Sequence, residues 1–245
     1  MAGHATAAIV TIGNEIVCGD VQNTNGSWLG RRLEQHGVSV RLQVAILDEE
    51  QQIVETVRAL AAVHDVVIVT GGLGGTPDDI TREALAATFA VGQQVHEPTA
   101  AVLRARFTRN PEYAARFANL PVGSLPLVNP LGGAPGFRIE NVFVLPGLPS
   151  EMEAMFDEVV ALQLPGAGEV AAIGSWRRRW QTYESLIDAV LRDFERLHPA
   201  VGLGSYPSFD STGPEVELVL KSRDPHALAA AADWLEGAVD DLLDR

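Results

Sequence analysis

The stretch Val66-Val67-Ile68-Val69-Thr70-Gly71-Gly72-Leu73-Gly74-Gly75-Thr76-Pro77-Asp78-Asp79 decides how the rest of the chain is read. With Asp65 before it, Val66–Val69 is a short β-branched run of the kind found in buried parallel strands. Residues 80–89 have helical spacing. The segment is therefore strand, glycine turn, acidic pair, helix. Four glycines, Gly71, Gly72, Gly74 and Gly75, let backbone N–H groups approach a ligand with no Cβ in the way. A helix N-terminus beside such a turn favours an anion, usually phosphate. Asp78 and Asp79 suit a phosphate that arrives with a divalent cation, or a water that must be activated. The turn matches neither standard phosphate motif. A P-loop needs Gly-Lys-Ser/Thr, and Lys221 is the only lysine; the glycines also miss the G-x-G-x-x-G spacing of dinucleotide folds. The plain alternative is a tight turn with Asp78 or Asp79 capping the helix.

Outward from this turn the same rhythm repeats. Residues 7–12 read as a first strand, followed by a loop from Gly13 through Glu15 and Asp20 to Asn25. Asn25 is a plausible N-cap for a helix over 26–36 with Trp28, Leu29 and Leu33 inward, and Gly37 stops it. A second strand over 38–47 ends at Asp48-Glu49-Glu50, and a helix over 50–62 buries Ile53, Val57 and Leu60. Three strand–helix pairs in succession predict right-handed crossovers and a parallel sheet covered on both faces. Ligands of such sheets bind beyond the carboxyl ends of the strands. If the strands are neighbours, Glu15, Asp20, Asp48, Asp78 and Asp79 converge on one crevice; each alone reads as a cap or a solvated charge.

Residues 92–141 are less regular. A helical stretch over 98–118, broken near Asn110-Pro111, carries Arg104, Arg106, Arg109 and Arg116, a basic face suited to phosphates or a partner subunit, with a solvated helix face the slightly preferred reading. Short strands over 125–128 and 137–139 flank the loop Asn129-Pro130-Leu131-Gly132-Gly133-Ala134-Pro135-Gly136. A buried strand over 142–145 leads into Pro146-Gly147-Leu148-Pro149-Ser150-Glu151, a second candidate anion turn, and a helix over 152–162. Pro165-Gly166-Ala167-Gly168 reads as a linker. The expected domains are 1–166 and 169–245. The second is a small α+β unit: strands over 170–181, 200–205 and 215–222, and helices over 183–197 and 225–243, the last capped by Asp224. In Trp176-Arg177-Arg178-Arg179-Trp180, alternation puts Arg178 on the tryptophan face.

The 245 residues are 47% hydrophobic and 20% charged, enough for a packed core. A net charge of −14 disfavours nucleic acid as a partner. No apolar run has the length of a membrane span, no secretory signal stands at the start, and the single cysteine, Cys18, fits a reducing compartment. Cytoplasmic residence is the expectation. The six histidines are scattered without zinc-ligand spacing.

Taken together, four ordered motifs resemble a known family. They are Gly13-Asn14-Glu15-Ile16 with Gly19 and Asn23-Thr24-Asn25; Thr70–Asp79 with Thr81; Asn129-Pro130 with Ala134-Pro135-Gly136-Phe137; and Leu145–Glu151. The chain resembles the N-terminal region of the competence/damage-inducible CinA proteins, in the molybdopterin-binding (MoaB/Mog-like) superfamily. The C-terminal part matches in pattern as well. The resemblance implies a three-layer α/β/α domain with a mostly parallel sheet, followed by the small α+β domain.

It also implies binding of a nucleotide or pterin phosphate at these turns, through Thr70, Gly71, Gly72, Gly74, Gly13, Glu15, Asn25, Gly136, Pro146, Gly147 and Glu151. By position, Asp79 and Asp48 look like the acids that serve metal and phosphate chemistry in molybdopterin adenylyltransferases, with Asp78 a further catalytic candidate. The activity the family implies is metal-dependent (Mg, Mn or Co) hydrolysis of an ADP-ribose-like pyrophosphate. Alternatives are adenylyl transfer to molybdopterin, or a non-catalytic binding module. The deamidase domain of full-length bacterial members is not expected, and a homo-oligomer, first a dimer, is. Gly75 stands where the family usually has proline.

Overall fold

The computed structural model describes residues 5–166, 172–210 and 213–244. The chain divides into two compact units, Met1–Val170 and Ala171–Arg245. Of the expected linker, Ala167-Gly168 lies outside the described residues, as do Val170 and Ala171 of the strand expected after it.

The first unit runs β1 (Thr6–Ile12), α1 (Asn14–Val17), α2 (Thr24–Gln35), β2 (Ser39–Ile46), α3 (Glu50–Ala61), β3 (Val66–Thr70), α4 (Thr81–Thr88), β4 (Gln93–Val95), α5 (Glu97–Arg106), α6 (Pro111–Ala115), β5 (Asn119–Pro121), β6 (Leu125–Leu127), β7 (Gly136–Ile139), β8 (Val142–Leu145) and α7 (Pro149–Met155). Six strands form one sheet in the order β2-β1-β3-β8-β7-β6. The first four are parallel, and β7 and β6 continue antiparallel. β4 and β5 pair separately.

Alternation along the strands explains the three layers. On β1, Ala7 and Ile9 join α2 and α7 through Leu29, Leu33, Met152 and Met155. Ala8, Val10 and Ile12 join α3 and α4 through Ile53, Val57 and Leu85 on the other face. β3 divides the same way, Val66 and Ile68 against Val67 and Val69. The expected α/β/α architecture with a mostly parallel sheet is borne out.

The strand order positions the site. β1 lies between β2 and β3, so the chain leaves β1 in one direction and returns on its other side. This reversal opens a crevice at the carboxyl ends of β1 and β3.

Several local expectations need correcting. Asn23 caps α2, its side chain accepting the Gly26 N–H at 2.8 Å, while Asn25 is buried inside the first turn. Part of the expected loop 13–25 coils into α1. Neither Asp78 nor Asp79 caps α4; the residue before it is Ile80, which makes no side-chain cap. The helix expected over 152–162 keeps regular turns only to Met155, widens over Phe156–Val160 and tightens over Ala161–Gln163, with Phe156, Val160 and Ala161 all buried.

The second unit runs β9 (Gly174–Trp180), α8 (Glu184–Leu197), β10 (Gly202–Asp210), β11 (Gly213–Ser222) and α9 (Pro225–Leu243), with sheet order β10-β11-β9. β10 extends past the expected Ser205 because it is an edge strand, where Pro207 costs no ladder bond. Arg178 lies over the Trp180 ring and pairs with Glu236 and Asp240 of α9. Asp224 caps α9 by accepting from His226 and Ala227. No helix among the described residues is long and apolar enough to cross a membrane.

Candidate functional site

Four loops leave the carboxyl ends of the four parallel strands, and together they wall a cavity of 360 Å³. The loop after β1 contributes Gly13 and Glu15, and the end of β2 contributes Asp48. The turn after β3 contributes Gly71, Gly72, Gly74, Asp78 and Asp79, and the turn after β8 contributes Pro146, Gly147 and Glu151. Thr70 and Asn25 line an adjoining space of 110 Å³ that shares Glu15, Gly71 and Gly147. Gly136 is placed elsewhere: it is buried in β7, opposite Leu127. Asp20 does not line the cavity either; its carboxylate accepts from the Cys18 thiol.

The glycine turn is shaped by backbone approach and by the start of α4. Gly71 and Gly72 take φ of 112° and 65°, and a Cβ on them would overlap the Ile12 carbonyl and the Thr81 hydroxyl. The turn's carbonyls are then gathered on one side. Thr81 Oγ1 donates to Gly71 O, Thr81 N to Gly72 O, and the Arg82 guanidinium to Leu73 O and Gly74 O, both at 2.7 Å. In a trans peptide the N–H points opposite the carbonyl before it. The N–H groups of Gly72, Leu73, Gly74 and Gly75 therefore all point away from Thr81 and Arg82. Gly74 N gives its hydrogen bond to Asp79 Oδ1 at 2.8 Å. Those of Gly72, Leu73 and Gly75 meet no acceptor among the described residues. Unpaired N–H groups on either side of Gly74 leave the turn able to donate to an anion.

The carboxylates have unequal duties. Asp79 accepts Gly74 N and, at its other oxygen, Thr76 N and the Thr76 hydroxyl, so both its oxygens brace the turn. Asp48 accepts the Asn14 N–H at 2.9 Å and donates its own N–H to Asn14 Oδ1, tying β2's end to the loop after β1. Burial pushes the Asp48 carboxyl above the ordinary range; the Asn14 bond opposes this, and Glu15, Asp78 and Asp79 add to it. Asn25 Nδ2 donates to Thr70 Oγ1 and Gly147 O, and Thr70 donates to Pro146 O, so these two side chains lock the turn after β8 to β3. Glu151 holds Asn129 at 2.9 Å.

Among the described residues, no three His, Cys, Asp or Glu side chains stand close enough to hold a metal ion. The oxygen donors suit Mg²⁺ or Mn²⁺ in chemistry, but only as one or two carboxylates under a cation that keeps its waters or takes phosphate oxygens. The sequence expectation does not include Arg82, Tyr113 or a structural part for Asn14. Arg82 leaves a trace in the sequence, since a cation in the first turn of a helix opposes the dipole and calls for a reason.

A family model described as "Probable molybdopterin binding domain" matches residues 8–165, the span that holds every wall of this cavity. The chain belongs to the molybdopterin-binding domain family. A second model, "FAD synthase, middle domain", matches residues 179–243. Across the molybdopterin-binding domain and beyond it, the chain is 37% identical to a protein of Pyrobaculum calidifontis over 98% of this chain and 94% of that one. It is 34% identical to a CinA-like protein of Citrifermentans bemidjiense, covering 97% of this chain and 57% of that protein. The crystal structure of CinA from Thermoplasma acidophilum superposes with a TM-score of 0.60 at 32% identity, over 65% of this chain and 96% of that one. The resemblance to CinA proteins expected from the motifs is borne out.

Proposed function

We propose that the crevice binds the phosphates of an ADP-ribose-like nucleotide and promotes hydrolysis of its pyrophosphate bond with the help of a divalent cation. One observation carries this reading: the turn at Gly72 and Leu73, whose N–H groups have no acceptor among the described residues, and a cluster of carboxylates wall the same cavity. An anion alone would be repelled by Glu15, Asp48, Asp78 and Asp79 on a chain of net charge −14, so the site calls for a cation to accompany it.

The unpaired N–H groups of Gly72 and Leu73 receive phosphate oxygens and oppose the negative charge that grows on them during attack. Asp48, fixed by Asn14, presents the carboxylate best placed to hold the cation or to take a proton from water; Asp78 and Glu15 assist by charge. Asp79 keeps the turn in its receptive shape and adds its charge to the wall. When bound, the cation supplies Lewis acidity and neutralises phosphate charge.

The test is AMP release from ADP-ribose with and without Mg²⁺, Mn²⁺ or Co²⁺, alongside Asp48→Asn. The variant keeps an oxygen for Asn14 and loses the charge. Metal-dependent release that falls about 100-fold or more in the variant supports the reading. No release from folded wild type overturns it. The family's description as molybdopterin-binding favours one second reading, a pterin phosphate in the same cavity with adenylyl transfer to it. Adenylylated pterin formed from ATP and molybdopterin, with ADP-ribose untouched, would select that reading; tight binding with unchanged nucleotide would leave a binding module.

A further inference from the structure

The glycine turn has a second side. Beyond it lies another cavity, of 460 Å³, and Gly74 and Asp79 line both this space and the crevice. Gly75 and Thr76 of the turn line it too, and its other walls come from α4 to β5, the polar ones being Arg82, Arg104, Arg116, Glu83, Glu112 and Asn119. None of these charged or amide side chains belongs to the four strand-end loops that build the crevice. Apolar wall is scarce; Val95, Ala115 and Phe117 supply it.

We propose that this cavity is the distal half of the substrate site and takes the second sugar, with its phosphate, of a two-ended pyrophosphate; the inference rests on the phosphate-binding reading of the crevice. The wall chemistry argues for a sugar phosphate over a base. Guanidinium groups donate to phosphate oxygens and to hydroxyl lone pairs, while carboxylates and an amide accept sugar O–H groups. A purine would want apolar faces, which this cavity lacks and the crevice has in Ile12, Leu73, Pro146 and Leu148.

The cations divide by availability. Arg82 is spent on the turn's carbonyls. Arg104 is held by Glu97 and Glu112, whose side chains are 71% and 80% exposed, so solvent screens both pairs. Arg116 lies over the Tyr113 ring and has no acidic partner among the described residues. It is the group free to meet a phosphate. Tyr113 in turn lies against the turn: a Cβ on Gly75 would overlap its hydroxyl. Tyr113 thus stands against the glycine turn and under Arg116.

The experiment is calorimetric titration of the full chain with ADP-ribose, ADP and AMP in the presence of Mg²⁺, for wild type, Arg116→Gln and Arg116→Lys, with ADP-ribose hydrolysis measured in parallel. Wild type is expected to bind ADP-ribose at least about 10-fold more tightly than AMP, the scale of one charge-assisted contact, with ADP between them because it carries the distal phosphate without the sugar. Arg116→Gln should abolish the advantage over AMP, lowering ADP-ribose and ADP together while AMP changes less than about twofold, and Arg116→Lys should restore part of it. Equal losses for all three nucleotides, or none, overturn the distal site even if hydrolysis is observed. A preference that depends on Arg116 without hydrolysis leaves the distal site standing and removes the hydrolase reading. Absence of binding by any of the three removes both.

Discussion

Asp48 and Asp79 stand at one cavity wall, and their neighbours give them different consequences on mutation. Asp79 braces Gly74 and Thr76, so Asp79→Ala frees two N–H groups and should cost about 2 kcal/mol of stability by chemical denaturation, whatever it does to turnover. Asp48 is burdened in the opposite sense. Its carboxyl is raised in the folded chain, so the folded state keeps the proton to higher pH than the unfolded state does. Stability therefore falls as pH climbs from the ordinary carboxylate value through the raised one. Asp48→Asn removes that loss. The variant should equal wild type near pH 3 and exceed it near pH 7, read as a Tm difference across about that range. A variant less stable than wild type at neutral pH would contradict this sign. Glu15, Asp48, Asp78 and Asp79 were all legible as acids after strands, because the recurrence is written locally. The bracing by Asp79 was not, since it depends on how the turn folds back on itself.

At the scale of elements, two asparagines one residue apart show why helix starts are hard to place. Asn23 and Asn25 both satisfy the chemistry of an N-cap. Asn23 takes the role and also bonds Thr11 on β1, while Asn25 turns inward to Thr70 and Gly147. Asn23→Ala should cost about 1 kcal/mol, an ordinary lost cap. Asn25→Ala should cost more, about 2 kcal/mol, because it removes the donor to the fully buried Thr70 hydroxyl as well as the bond to Gly147 O. Urea unfolding of the two variants checks the order. Strands were the most legible elements: Val66–Thr70 is buried at every position, as its β-branched composition predicts. The link from α6 to the glycine turn was hidden, because Gly75 and Tyr113 are far apart in sequence and neither residue type marks the contact.

For the whole molecule, each unit closes a core of its own: two clusters on the faces of the large sheet, and a separate one of Trp180, Phe194, Leu218 and Leu235 in the second unit. Of the four tryptophans, Trp28 lies in the first unit and Trp176, Trp180 and Trp234 lie in the second. Fluorescence therefore reports mainly on the smaller unit. Asp224→Ala, which uncaps α9, should shift the fluorescence-detected urea transition by about 1 kcal/mol. It should leave nucleotide binding at the crevice unchanged. Loss of binding in that variant would mean that the units do not act independently.

Because α4 holds the carbonyls of the glycine turn, the N–H groups of Gly72, Leu73 and Gly75 are left with no protein acceptor among the described residues. Such hydrogens trade with deuterium from the solvent without waiting for any part of the chain to unfold. An occupant that bonds to them would slow that trade at these positions. The turn is thus its own isotopic gauge: protein labelled at glycine and leucine, placed in heavy water, would register a guest there, catalysed or not, through the lifetimes of three resonances.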